Sequence, residues 1–261
     1  PLAITGGLLV QSSTLTLTVA DAIAAASSVT LDGGALDVAG GDQTFHNFGG
    51  SGVVFAFGTP TLTFVNDTDT SFSGDHFGSG EATLVKEGSG SLTLNGILYS
   101  AGSLAVNAGP LVLGSNDALP GAASFQAPEF DVVVTVASGA TLDLGATQQT
   151  FGSLSGSGSV NVGAGGLIVF DANAGPIVVG TALSGTGGML TRNGDVDLTA
   201  ASYGLSGPVT VESGTLTQGD SQLDTAESIT IDAGAELASS GEFVTLNNLS
   251  GAGSASFDVP D

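Results

Sequence analysis

His46 and His76 are the only side chains in this sequence suited to act as neutral-pH bases, so a nucleophilic serine would have to lie near one of them. Neither stands in a recognisable Ser/His/Asp spacing, no GxSxG turn occurs, and the absence of Cys removes thiol chemistry and Cys-based zinc sites. Gly219-Asp220-Ser221 has the opening of one lipase class, but Gln222 follows and no histidine lies C-terminal of it. By repeat alignment it is an ordinary turn. His46 stands where a second repeat copy has Gly152, which predicts an exposed turn. His76 is expected in an Asp-His-Phe-Gly loop, where Asp75 and Glu81 would complete a candidate metal set. Two histidines and no Cys make a thin donor set for a transition metal.

Asp67/Asp69 and Asp195/Asp197 are pairs two residues apart, the strand spacing that puts two carboxylates on one face. Such a pair suits Ca²⁺ or glycosidase chemistry, and a solvated strand face is the simpler reading. The GGxGxD calcium repeat, GxGxxG and the P-loop are all absent. Asn66-Asp67-Thr68 and Asn248-Leu249-Ser250 match a glycosylation pattern by chance. Lys86 and Arg192 occupy nearly equivalent repeat positions and suggest no catalytic role. The sequence therefore predicts no catalytic, cofactor or metal residues and a protein that is not an enzyme, with divalent cations left open as partners of an acidic surface.

That surface is the main electrostatic fact: 25 Asp and Glu against 2 Lys and Arg give a formal charge of −23, which repels phosphate backbones and anionic lipid. Nucleic acid is excluded as a partner. The same charge keeps a Gly-rich, strand-forming chain soluble and attracts cations or basic partners. A mean hydropathy of +0.39 with only 10% charged residues argues for folding rather than disorder. No apolar run reaches the ~18 residues of a membrane helix. Ala22 to Ala26 only superficially resembles a signal-peptide cleavage region, since nothing basic precedes it. With Pro1 first, the chain reads as a segment of a longer protein.

The elements that must position these residues are strands. Ser91-Leu92-Thr93-Leu94, Thr141-Leu142-Asp143-Leu144 and Val209-Thr210-Val211 alternate apolar with polar residues, and Gly-rich punctuation such as Gly88-Ser89-Gly90 separates such runs. Only Asp21 to Ser28 could make a helical turn. One unit recurs three times, VTLDGGALDVAGGDQTF from Val29, VTVASGATLDLGATQQTF from Val134 and ITIDAGAELASSGEF from Ile229. A second alternates with it, so that LVKEGSGSLTLNG from Leu84 answers LTRNGDVDLTA from Leu190. The order is A 28–54, B 61–121, A 132–162, B 167–224 and A 227–257, within one domain covering 1–261.

A chain that repeats strand–turn chemistry can stack each coil on the last, which favours a solenoid over a sandwich. The expected fold is all-β, a right-handed single-stranded parallel β-helix of roughly a dozen coils, ~20 residues each, in a rod of ~60 Å. Leu92, Leu94, Val106, Leu111, Leu142, Leu144, Leu154, Val209, Val211 and Leu237 are the expected core. Phe45 and Phe151, at matching positions, should stack or cap locally, and the open coils at both ends should be capped elsewhere in the full protein.

LVKEGSGSLTLNG…SAGSLAVNAGPLVLGSNDALPGAA, followed by VASGATLDLGATQQTFGSLSGSGSV, resembles the passenger-associated repeats of type V autotransporters, of the self-associating adhesin class. The likeness covers most of the chain and is thin over 1–28 and 55–80. It implies a β-helix exported through the outer membrane to the bacterial surface, in a family that includes adhesins active in aggregation and biofilm formation. Fold alone does not fix activity. The leading expectation is a self-associating or adhesive rod, binding itself or host glycans and proteins. A passive stalk displaying another domain is the alternative, and a glycan-processing enzyme a third.

Overall fold

Alternate residues of each short run point to one side, and the computed structural model shows what those sides meet. It describes residues 4–77, 82–98, 101–119, 132–220, 222–241 and 244–257. The chain is a β-solenoid of about 11 turns, nearly all-β, its sheets parallel. At ~4.8 Å per coil this is a rod of ~50 Å. A twelve-stranded sheet runs from Gly7–Gln11 to Tyr203–Leu205. A six-stranded sheet runs from Gln43–His46 to Ser153–Gly156, another from Gln148–Phe151 to Leu249–Gly251, and a five-stranded sheet from Ile177–Val178 to Ser254–Phe257. The one helical element among the described residues is a single 3₁₀ turn, Ala172–Ala174. Asp21 to Ser28 forms turns closed by Ala24 N–H on Asp21 O (3.3 Å) and Ala26 N–H on Ile23 O (2.9 Å).

Register partners lie 18 to 23 residues apart, as Val209, Ile229 and Leu249 do at 20. The exception is the step from Leu111 to Leu142 and from Leu104 to Val134, where one coil takes some ten residues more. The pitch stacks like on like: Leu62, Leu84, Leu104, Val134 and Leu154 form one inward column. Leu92, Leu111, Leu142, Val160 and Leu183 form another. All ten expected core residues are buried. Each such Leu or Val contributes on the order of 2 kcal/mol of transfer free energy, so the columns carry the fold.

Phe45 lies over its register partner Phe64, ring centroids 5.6 Å apart, and with Phe48 and Phe72 they form a continuous aromatic cluster in the core. Phe151 meets Phe170 one coil on at 6.3 Å. These rings sit inside the rod, filling space that the aliphatic columns leave open.

The long repeats do not line up along the rod. Val29, Val134 and Ile229 open the three A copies, and they lie in three different sheets. A repeat of 95 to 105 residues is not a whole number of coils, so successive copies start on different faces. The B alignment is also out of strand phase, for Leu84 is buried at 3% exposure whereas Leu190 is half-buried beside inward Met189 and Thr191.

Candidate functional site

In Ala82–Glu87, residues Ala82, Leu84 and Lys86 share the inward phase, so the only lysine of the chain is placed in the core at 1% exposure. Its ammonium donates to three main-chain carbonyls, Glu87 O (2.7 Å), Gly88 O (3.0 Å) and Ala108 O (3.2 Å), which uses all three protons. Burial holds Lys86 below the usual lysine range, against the pull of Glu87 and Asp67. An internal cavity of about 20 Å³ adjoins it, lined also by Phe48, Phe72, His76, Leu84 and Leu98.

His76 is on that wall, which corrects the loop expectation. It lies in the strand Asp75–Phe77, pairs with Val54 across the ladder, and is 3% exposed. Burial pushes its imidazole down to about 4, so it is neutral at physiological pH. Asp75, its neighbour, faces the other way, and its Oδ1 accepts from Ile97 N–H (3.0 Å). Histidine and carboxylate therefore do not converge, and Glu81 lies outside the described residues. His46 is likewise no exposed turn residue: it ends the strand Gln43–His46, half-buried, and the turn begins at Asn47 with φ 43°.

The carboxylate pairs do structural work. Asp67 and Asp69 lie in a turn rather than on a strand face, and Asp69 Oδ1 accepts from Ser91 N–H one coil on (2.9 Å). That bond holds the Asp69 carboxyl below its ordinary range. Asp195 binds Thr215 N–H in the same manner (2.9 Å), whereas Asp197 closes its own turn on Thr199 N–H (2.8 Å). Asp42 repeats the device on Thr61 N–H (2.7 Å). Each side chain satisfies a main-chain donor that a coil corner leaves without a ladder partner. No group of three or more His, Asp or Glu fit to hold a metal occurs among the described residues.

The remaining candidates are also tied into the frame. Gly219 N–H donates to Gln222 Oε1 (2.7 Å), and Gln222 Nε2 reaches Leu198 O and Ala201 O, consistent with a turn; Ser221 lies outside the described residues. Asn66 is fully buried, its amide donating to Thr70 Oγ1 (2.6 Å), and Asn248 donates to Glu227 O (2.9 Å). Burial closes the Asn66 amide to modification, whereas Asn248 is exposed. Arg192, unlike Lys86, projects outward and binds buried Asp171 (3.0 Å), which Asn193 also contacts at 2.9 Å. Burial raises the carboxyl of Asp117, against the pull of Arg192.

Outside, hydroxyls bond along the rod axis: Ser103 to Thr83 (3.0 Å), Thr141 to Ser159 (3.0 Å), Thr135 to Ser155 (3.3 Å) and Thr230 to Ser250 (3.3 Å). The rod can offer ordered, uncharged hydroxyl pairs to a neighbour; the described residues bring no acid, base and nucleophile together. Compared with models of known protein families, with curated proteins and with solved structures, the chain matches none.

Proposed function

We propose that this chain is an adhesive, self-associating rod segment of an autotransporter passenger, displayed on a bacterial surface. The observation that carries the proposal is the set of Ser/Thr hydroxyl pairs on the outside of a parallel solenoid, each bonded from one coil to the next. A second rod laid alongside meets a pre-ordered array of donors and acceptors, so little side-chain entropy remains to be lost on contact. Because the three A copies begin in different sheets, similar outward chemistry faces several directions, which suits lateral contacts with more than one neighbour.

The net charge of −23 opposes such contacts and sets their salt dependence. Between exposed charges repulsion is screened within ~8 Å at physiological ionic strength, so association strengthens as salt rises toward that range. Display of the segment on a bacterial surface tests the reading. Cells carrying it should settle faster than cells carrying the display scaffold alone, and settling should slow when Thr83, Thr135 and Thr141 are replaced by Asp, with rod integrity checked by circular dichroism. Equal settling in all three strains would instead favour a passive stalk.

A further inference from the structure

Of the 2 Lys and Arg and 2 His in the chain, Lys86 and His76 line the same internal cavity, whose other described walls are apolar. They are not equally provided for. Lys86 gives its three protons to main-chain carbonyls, which is how a buried cation is tolerated. His76 is buried as the neutral ring, in an inward column between Val54 on the preceding coil and Leu98 on the following one. An imidazolium there would exchange water for apolar walls, in a cavity shared with an ammonium of the same sign.

Among the described residues no carboxylate turns toward the ring. Asp75, on its own strand, accepts from Ile97 N–H on the outside; Asp69, before Thr70–Phe72, accepts from Ser91 N–H; and Glu87, next to Lys86, accepts from Asn107 Nδ2 (2.8 Å). The strands Gly49–Ala56, Leu92–Leu94, Ala101–Val106 and Pro110–Leu113 contain no ionisable side chain. Asp117 lies a coil further on, beyond Leu98, whose N–H donates to Ala118 O (2.8 Å).

The ladder is thin at the same place. Among the described residues, Asp75–Phe77 pairs along its length with Val53–Phe55 but is joined on its other side by the single bridge between His76 and Leu98. Phe72 meets Gly49–Ala56 at Gly50 alone. Because each coil of a solenoid touches only its neighbours, one can open while distant coils stay closed.

We propose that this stretch is an acid-responsive opening in the rod: when His76 takes up a proton, the strand Asp75–Phe77 leaves the wall and exposes the rings of Phe48, Phe64 and Phe72, while the coils from Val134 onward stay closed. The open form solvates the imidazolium and the closed form does not, so falling pH favours opening once it passes below the ordinary histidine range. One proton thus turns apolar rings outward in acid, and its loss withdraws them at neutral pH. The device goes beyond the adhesive reading and does not depend on it.

Hydrogen exchange of the intact chain, read by mass spectrometry at pH 7, 5 and 4 and corrected for the intrinsic rate at each pH, tests it. Amides of residues 70–77 and 92–98 should lose protection by up to ~300-fold between pH 7 and pH 4, the factor that a fall from 6.5 to about 4 allows. Those of Val133–Val136 and Val209–Val211 should lose far less. His76→Leu and His76→Gln, neither able to take the charge, should remove the extra loss, and either variant serves if the other fails to fold. The dye 8-anilinonaphthalene-1-sulfonate should brighten more in acid with the wild type than with either variant. Equal loss along the whole rod would mean global acid unfolding and overturn the proposal. The same local loss in the variants would assign it to carboxylates such as Asp69 and Asp75 and overturn it too, as would unchanged protection at pH 4.

Discussion

Replacing His76 by Leu removes the one group whose burial should make this rod acid-sensitive in a calculable manner. In the folded chain burial disfavours the charged imidazole and pushes its pKa down to about 4, whereas an exposed histidine titrates near 6.5. Above pH 6.5 both states are neutral and the group contributes no pH dependence. As pH falls from 6.5 towards 4 the unfolded chain takes up a proton that the folded one refuses, so stability is lost; below about 4 the loss levels off. At ~1.4 kcal/mol per unit over ~2.5 units the loss reaches about 3 kcal/mol. The many carboxylates change stability in the same interval, and the variant carries them unchanged, so the difference between the two proteins isolates His76. Urea unfolding followed by circular dichroism at pH 7 and pH 4 measures it, with slopes compared to check that both proteins unfold alike. The wild type should lose about 3 kcal/mol more than His76→Leu across that interval. Parallel pH profiles would refute the claim that a buried neutral imidazole sits in this core.

Leu142→Ala, at the centre of a column, should cost ~2–5 kcal/mol by urea unfolding, whereas Thr135→Ala on the outside should stay within ~0.5 kcal/mol. Gly156 has φ 111°, and a Cβ there would stand 2.0 Å from Val136 O, so Gly156→Ala should lower the melting temperature more than Thr135→Ala does. Arg192→Met leaves Asp171, 3% exposed, without its cation and should cost ~3 kcal/mol; a loss below ~0.5 kcal/mol in the same urea assay would show Asn193 to be sufficient. Lys86→Ala empties the carbonyl cluster and enlarges the cavity of about 20 Å³, so it should destabilise more than Lys86→Met, which keeps the volume.

Strand phase and coil pitch were legible because they are local. Leu142 and Leu144 alternate with polar residues, and a ~20-residue step brings Leu62 over Leu84, so period and punctuation sufficed to name the core. The inward lysine was legible in principle too: Lys86 is two residues from Leu84 in a period-two strand, and only its charge argued for the outside. A Gly at the matching repeat position suggests a turn at His46, and the Gly two residues after His76 a loop, yet both histidines lie in strands because a short solenoid strand can begin or end close to Gly. The displacement of repeat copies onto different faces was hidden, since it depends on summing coils of unequal length. That Phe57 is 57% exposed was hidden as well, because the sequence does not show where a strand leaves the wall.

Sedimentation velocity of the purified chain across a concentration series, at low and at physiological ionic strength and with and without Ca²⁺, tests the adhesive account most directly. The account predicts a sedimentation coefficient that rises with concentration, more steeply at the higher salt, as two surfaces of charge −23 come within reach of each other. A rod that stays monomeric at every concentration and ionic strength would contradict it.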